Sequence, residues 1–174
     1  MRRSGHRSLA ALAIVTAALA PRPARATFSL AAVDGATGEM GAAAASCIAP
    51  AEVSIVYGPV PDHGVVIVQS FLHEGTLARG VQLLGTGAAP DDVLGALLDP
   101  AFDPEPSRRQ IAILDVEGRA AVHTGARALA FASHRVHQVG DVRFTVQGNR
   151  LTGPAVLDRM AAAFAGSGCD LVAR

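Results

Sequence analysis

Thr27 stands directly after a segment that is typical of an export signal, and this position gives it a possible chemistry. Residues 22–30 read R-P-A-R-A-T-F-S-L. If the chain is cleaved after Ala26, Thr27 becomes the first residue, with a hydroxyl and a free α-amine on adjacent carbons. An α-amine has an intrinsic pKa of about 7.7–8, so at neutral pH a fraction of it can accept the hydroxyl proton. Thr27 would then be a nucleophile with its own base.

Residues 1–26 contain the three parts of a secretory signal peptide. The start is basic, M-R-R-S-G-H-R, residues 8–20 are apolar, and P-R-P-A-R-A ends in small residues where a signal peptidase cleaves. The apolar run is shorter than the roughly 20 residues that span a bilayer. The sequence therefore predicts an exported chain, periplasmic or secreted, with no membrane span after cleavage. The alternative is a retained N-terminal anchor helix.

The charge of the predicted mature chain, residues 27–174, excludes several classes of partner. It carries ten arginines, no lysine and fifteen acidic residues, a net formal charge of −5. No mechanism can use a lysine side chain. An acidic chain without a basic cluster is also a poor binder of nucleic acid or anionic lipid. The length predicts one domain.

The cysteines and histidines give weaker signals. Cys47 and Cys169 either form one disulfide in an oxidising compartment or remain buried thiols. His134 and His137 form an H-x-x-H pattern, but two histidines without a third well-placed ligand are a weak metal signal. We therefore predict no metal and no cofactor, and we expect these histidines on a surface loop.

Hydrophobic patterns predict paired strands, with the helices gathered in two blocks. Two apolar segments around the turn G-A-T-G predict a hairpin over 27–47, and G-V-V-I-V-Q at 64–69 is typical of a buried strand. A second hairpin is predicted over 109–125 and a short strand over 144–147. Helices are predicted over 76–84, 90–98 and 154–165. This order favours an α+β fold over alternating βαβ units.

Four motifs in order carry a resemblance to a known family. They are T-F-S-L-A-A-V-D-G-A-T-G-E-M-G-A-A-A-A-S at 27–46, R-Q-I-A-I-L-D at 109–115, A-V-H-T-G-A at 121–126 and V-Q-G-N-R-L-T-G at 146–153. Together they resemble the bacterial domain of unknown function 1028 family over essentially all of residues 27–174. That family is grouped with the N-terminal nucleophile (Ntn) hydrolases, so the resemblance implies a four-layer αββα sandwich. Because the family has no established activity, the resemblance implies a candidate chemistry but no substrate.

Four residues are candidates for catalysis. Thr27 is the nucleophile, and Asn149 or the backbone amide of Gly148 stabilises the oxyanion. Gln147 is a further site residue, and His123 orients substrate or assists proton transfer to the leaving group. The structural alternatives are an ordinary strand residue for Thr27, a turn for the Gln-Gly-Asn run and a hydrogen-bonded structural histidine for His123.

Ser46 and Gln69 lie at predicted strand ends and, with Gly148, are the candidate substrate-binding residues; local capping is the alternative. Two further groups are predicted to be structural. Arg109, Gln110 and Asp115 flank an apolar strand and tie it to loops. Asp34 and Glu39 bracket the first hairpin turn and are expected to be solvated.

The chain departs from the family pattern in two places. Q-S-F-L-H-E-G follows the central strand where relatives carry an aromatic, Asn-Pro-containing segment. S-G-C-D-L-V-A-R at 167–174 resembles the start of a family helix that continues in relatives, which predicts a C-terminally shortened, incomplete sandwich. Uncovered apolar sheet surface would then favour low stability or a homodimer.

The sequence thus predicts an exported N-terminal nucleophile hydrolase that cleaves an amide or C–N bond in a small-molecule or peptide-like substrate. The alternative from another class is a non-catalytic secreted or envelope binding domain that keeps the same fold. A metal-dependent hydrolase that uses the histidines is the weakest of the three hypotheses.

Overall fold

The computed structural model describes residues 26–47, 53–73, 75–168 and 171. Strands and α-helices alternate in blocks along these ranges. Short 3-10 helices cover Val53–Val56 and Pro106–Arg108. The main elements are β1 (Thr27–Asp34), β2 (Met40–Ser46), β3 (Tyr57–Val60), β4 (Gly64–Ser70), α1 (Thr76–Gly85), α2 (Pro90–Leu98), β5 (Arg109–Asp115), β6 (Ala120–Thr124), β7 (Ser133–Val139), β8 (Val142–Asn149) and α3 (Ala155–Ala165).

The strands form two antiparallel sheets of four strands each. The first sheet has the order β2-β1-β8-β7 and the second the order β3-β4-β5-β6. β1 and β2 form the predicted hairpin, with Thr27 opposite Ser46 and Val33 opposite Met40. The turn is closed by Asp34, whose Oδ1 accepts the backbone N–H of Ala36 at 2.9 Å. Helices and antiparallel sheets together confirm the α+β prediction.

The two sheets face each other through alternate residues of their central strands. Side chains of β1 alternate between the two faces of the first sheet. Ala31 and Val33 point to the second sheet, whereas Ala32 packs toward α3. The apolar layer between the sheets is built from small and branched side chains: Ala31, Val33, Val65, Ile67, Ala112 and Leu114.

Helices cover the outer face of each sheet. α3 buries Leu157 and Phe164 against Phe144 and Val146 of the first sheet. α1 and α2 cover the second sheet through three fully buried residues, Leu84, Val93 and Leu97. A side chain at Gly80 of α1 would meet Val66 of β4 at 3.0 Å, so α1 lies close to the sheet because this residue is glycine.

The segment around His134 and His137 is a strand, so the prediction of a surface loop was wrong. β7 pairs with β8 along its whole length, from Ser133 opposite Gly148 to Val139 opposite Val142. Its sequence, S-H-R-V-H-Q-V, carries few apolar residues because β7 is an edge strand and is only partly buried. Polar composition therefore hid the strand from sequence patterns.

Several sequence predictions fall outside the described residues. The predicted signal peptide lies there except for Ala26, and so does Cys169, which was predicted either to form a disulfide with Cys47 or to remain a buried thiol. Cys47 itself is exposed directly after β2, so the alternative of a buried thiol is wrong for this residue. Within the part of the chain that the structure describes, no helix is long and apolar enough to cross a membrane.

A buried ion pair fixes the loop before β5. Arg109 Nε and Nη2 donate to Asp103 Oδ2 and Oδ1 at 2.6 and 2.9 Å, and Nη1 donates to the carbonyl of Phe71. Burial alone would raise the pKa of Asp103, but hydrogen bonds from Arg109 and the Glu105 N–H, with the Arg109 charge, lower it. Asp115 pairs instead with Arg119. Arg109 and Asp115 thus tie strand to loop as predicted, each through its own partner.

Asp103→Asn is expected to destabilise the fold because the Arg109 charge would stay buried without a counter-charge, which costs about 3–5 kcal/mol. The folded pKa of Asp103 lies below the unfolded value of about 3.9. Its contribution is therefore complete above that value and is lost as the pH falls through the folded pKa. Urea unfolding at neutral pH should give a much lower free energy of unfolding for Asp103→Asn than for the unaltered protein. The two values should approach each other only in acid.

Asp158→Asn is the matched control, because Asp158 and its partner Arg135 are both partly exposed. It should change the free energy of unfolding by less than about 1 kcal/mol. Equal losses in the two variants would contradict the assignment. The assignment would also be contradicted if the difference in free energy of unfolding between the unaltered protein and Asp103→Asn already became smaller near about pH 6.

Candidate functional site

The layer between the sheets changes from apolar to polar toward one end. Thr27 and Ser29 continue the inward-facing positions of Ala31 and Val33 on β1. Gln69, Gln110 and Gln147 occupy the corresponding positions on β4, β5 and β8. The buried polar side chains of this end, here called the polar layer, are Thr27, Ser29, Gln69, Gln110, Thr145, Gln147 and Asn149.

Thr27 lies at the margin of the polar layer, between two candidate site residues. It is opposite Ser46 on β2 and opposite Asn149 on β8. Its Oγ1 is 2.9 Å from Ser46 Oγ, and the residue is 6% exposed. The ladder continues one residue earlier, because the Cys47 N–H donates to the carbonyl of Ala26 at 3.1 Å. The sheet thus holds both sides of the predicted cleavage point.

Side-chain amides connect the two sheets behind Thr27. The Ser29 hydroxyl donates to Gln69 Oε1 at 2.8 Å, and Gln69 Nε2 donates to Gln110 Oε1 at 3.0 Å. Asn149 Nδ2 donates to the same Gln110 oxygen at 3.1 Å. All four residues are at most 1% exposed. Asn149, the predicted oxyanion ligand, is therefore part of a fixed network beside Thr27.

Gln110 Nε2 lies close to three acceptors on its other side. It is 2.9 Å from the carbonyl of Gly148, 3.1 Å from that of Ser133 and 3.1 Å from Thr124 Oγ1. From its sequence context, Gln110 was predicted to be a structural residue that flanks an apolar strand. The structure puts it at the centre of the candidate site, where it touches both sheets.

Gln147 is brought into the polar layer, but within the described residues its amide makes no hydrogen bond to Thr27. It lies opposite Ser29 on one side and His134 on the other, and it is fully buried. Neither its Nε2 nor its Oε1 has a hydrogen-bond partner among the described residues, and the same holds for Thr145 Oγ1. Buried amides are rarely left unpaired, so Gln147 is a costly residue in this place.

His123 does not belong to this group. It lies opposite Ile111, whose side chain packs toward the helices, so His123 faces away from the polar layer. Its Nε2 is 3.2 Å from the carbonyl of Pro106. The structure therefore places His123 on the other face of the second sheet, with the hydrogen-bonded structural role that was its alternative.

His134 and His137 lie on opposite faces of β7, which their spacing of three residues dictates in a strand. His134 Nδ1 is 2.9 Å from Thr124 Oγ1, whereas His137 stacks on Phe144 toward α3. Burial lowers the pKa of His134, and the neighbouring His123 and Arg135 lower it further. The H-x-x-H pattern therefore does not converge on one ion. The described residues contain no group of three potential ligands either.

Gly148 and Gln69 act through packing and the network. A side chain at Gly148 would meet Leu151 at 2.9 Å and the carbonyl oxygen of Thr27 at 3.1 Å. A side chain at this position would therefore crowd Leu151 and the backbone of β1, which favours glycine here. Gln69 already uses both ends of its amide, toward Ser29 and Gln110.

Ser29 and Gln110 were not among the candidate site residues. A usable signal was present, since each is a polar residue at an inward position of an otherwise apolar strand, T-F-S-L-A-A-V and R-Q-I-A-I-L-D. Two backbone features lie at the same end of the sandwich. Ser70 after β4 and Arg150 after β8 have positive φ angles of 77° and 54°. Such geometry is uncommon outside glycine and clusters at functional sites.

A cavity of about 190 Å³ opens between the edges of the two sheets near Ser29. Ala44, which lies opposite Ser29, forms part of its wall, and Ile67, two residues before Gln69, forms another part. Its remaining lining is Ala42, Ala43, Val53, Ser54 and Tyr57. Its wall is built mostly from small side chains, and its volume is about that of a short aliphatic group.

The fold and this site define an α+β protein with two stacked antiparallel sheets and a polar layer at one end. The family model described as a family of unknown function (DUF1028) matches residues 27–174, and the chain belongs to that family. This confirms the resemblance seen in the sequence motifs.

A crystal structure of a DUF1028 protein from Silicibacter pomeroyi is similar to this chain, with a TM-score of 0.71 and 26% identity. The match covers 84% of this chain and 65% of that one, so this chain spans less than two thirds of that protein's length. A search of curated proteins finds no significant match.

Gln110→Met and Gln147→Met should differ sharply in stability, although both replace a buried amide with a side chain of similar length. Loss of Gln110 leaves several buried partners unpaired, and each unpaired group costs about 1–3 kcal/mol. Loss of Gln147 breaks no hydrogen bond seen here, so its cost should stay below about 1 kcal/mol or the variant should gain stability. Urea unfolding at neutral pH measures both. Equal costs for the two variants would contradict the network.

Proposed function

We propose that this chain is an exported N-terminal nucleophile hydrolase that cleaves an amide or C–N bond, with Thr27 as its nucleophile. The observation that carries the proposal is the position of Thr27. It is the first residue of β1, directly after a predicted signal-peptide cleavage point, and it lies between Ser46 and Asn149 at the margin of the polar layer. Helices on the outer faces of two stacked sheets also fit the αββα sandwich of Ntn hydrolases.

The chemistry requires little beyond the cleaved chain itself. The Thr27 hydroxyl attacks the carbonyl carbon of the substrate, and its proton passes to the free α-amine. Asn149 stabilises the negative charge that develops on the carbonyl oxygen, since its Nδ2 carries a second hydrogen beside the one given to Gln110. The C–N bond then breaks, and the α-ammonium returns the proton to the leaving nitrogen. Water finally hydrolyses the ester on Thr27.

The substrate is a small-molecule or peptide-like amide. The cavity near Ser29 has a wall built mostly from small side chains, three of them alanines, which favours a small group on the acyl side. His123 has no part in this mechanism, because its side chain lies on the opposite face of the second sheet.

A non-catalytic secreted or envelope binding domain is the second candidate function. One observation favours it: Thr27 is 6% exposed and its hydroxyl is within hydrogen-bond distance of Ser46. A hydroxyl held in this way would serve the packing of the hairpin and not attack a substrate. The two candidates differ in whether Thr27 reacts.

N-terminal sequencing and labelling with a β-lactone test the proposal directly. The exported protein should begin at Thr27, and the β-lactone should acylate that residue. Thr27→Ser should keep the reaction because it keeps the hydroxyl and the amine, whereas Thr27→Ala should abolish it. Mass spectrometry of the intact protein and its N-terminal peptide measures the adduct.

A form that begins at Ala26 is the matched control, because it keeps the Thr27 hydroxyl and removes only its amine. General-base assistance contributes about 10²–10⁴-fold, so labelling of this form should slow by that factor. A natural N-terminus at any other residue would overturn the proposal. Equal labelling of the two forms would overturn the role of the amine, and no labelling of the form that begins at Thr27 would favour the binding domain.

A further inference from the structure

The side chain of Gln110 bonds to both sheets, and on the first sheet it reaches backbone carbonyls as well as a side chain. It belongs to β5 of the second sheet, yet its Nε2 lies within 3.1 Å of the carbonyls of Gly148 and Ser133 in the first sheet. Its Oε1 accepts from Gln69 of its own sheet and from Asn149 of the first sheet. It is fully buried, so water does not compete for these bonds.

Two of these contacts determine which way the Gln110 amide points. A backbone carbonyl can only accept a hydrogen bond, so the side of Gln110 that faces Gly148 and Ser133 must be its NH₂ group. Its oxygen therefore faces the opposite side. The orientation follows from the chemistry of the neighbours and not from the fit of one amide rotamer.

The orientation of Gln110 then determines that of its two amide neighbours. An oxygen can only accept, so both Gln69 and Asn149 must turn their NH₂ groups toward it. The oxygen of Gln69 is left facing Ser29, whose hydroxyl donates to it. Two backbone carbonyls thus determine the orientations of three side-chain amides and one hydroxyl.

We propose that Gln110 is the positioning residue of the Thr27 site and that it acts by fixing the Asn149 amide. The last torsion of an asparagine side chain is broad and roughly two-fold, so without Gln110 the amide could turn over. That turn would exchange donor and acceptor beside Thr27, since Asn149 is the residue opposite Thr27 on β8. The consequence for reactivity rests on the proposed function, whereas the ordering of the amides does not.

The ordering can be measured in the unaltered mature protein by NMR. Scalar coupling across hydrogen bonds should link the Asn149 side-chain nitrogen to the Gln110 side-chain carbonyl, and the Gln110 side-chain nitrogen to the carbonyl of Gly148. The opposite pattern, with the Gln110 nitrogen donating to Asn149, would overturn the proposal. This measurement needs no substitution, so it decides the question even if every variant unfolds.

The effect on Thr27 is tested with Gln110→Met and the β-lactone, with rates expressed per folded molecule. Labelling should slow by up to about 100-fold, as expected when a reacting group is misplaced. The Asn149 NH₂ resonances should shift or broaden in the same variant. Ile113→Val is the matched control: it lies on the same strand, faces the helices, and should lower the melting temperature without changing labelling or these resonances.

Three outcomes separate the two proposals. If the unaltered protein is not labelled, the proposed function fails, while the coupling pattern still decides the orientation of Asn149. If it is labelled and folded Gln110→Met reacts at the same rate, the positioning role is overturned while the nucleophile stands. If Ile113→Val slows labelling as much as Gln110→Met does, the effect is general to weakened folds and the positioning role is again overturned.

Discussion

The hydrogen bonds of one buried glutamine determine how the two sheets meet at their polar end. Five groups from both sheets surround the Gln110 amide: two backbone carbonyls, which can only accept, and three side chains, which can turn to suit it. A buried amide in an apolar layer would cost free energy if any of its groups were unpaired. Because this one is satisfied, the sheets can be held together here by directional bonds in place of hydrophobic contact. The orientation of the Asn149 amide depends on that bridge.

The alternation of side chains along the strands positions both the apolar residues between the sheets and the polar residues of the candidate site. On β1, every second residue from Val33 back to Thr27 points between the sheets, and these residues change from valine and alanine to serine and threonine. The apolar half supplies the burial that holds the sheets together, and small side chains allow them to lie close. The polar half is placed by the same register and needs no separate scaffold. A shift of the β1 register by one residue would turn Thr27 toward α3, and both the apolar packing between the sheets and the candidate site would be lost.

Sequence patterns predicted most of the elements and the α+β class because these depend on local periodicity. The hairpin of β1 and β2, the buried strand β4 and the three helices all carry clear alternation, helical spacing or prolines at first turns. β7 was missed because an edge strand needs little apolar content. The amide network was missed for a different reason: Gln110 meets its partners in β4 and β8 only after two sheets have stacked, and pair spacings of about forty residues leave no local signal. The role of His123 was predicted wrongly for the same reason, because the sheet face on which it lies depends on the register between β6 and β5.

The contacts around Thr27 are already formed while Ala26 still precedes it, and this limits what cleavage would have to change. One backbone hydrogen bond extends past the start of β1, from the Cys47 N–H to the Ala26 carbonyl, and Thr27 already lies opposite Ser46 and Asn149. Hydrolysis of the single bond between them would leave the hydroxyl where it is and create the amine next to it. No side chain of the polar layer would have to move, because none of their hydrogen bonds involves Ala26. Under the proposed function, a site already arranged in this way would react without reorganisation cost, and breaking one peptide bond would be the only change needed to make Thr27 a nucleophile.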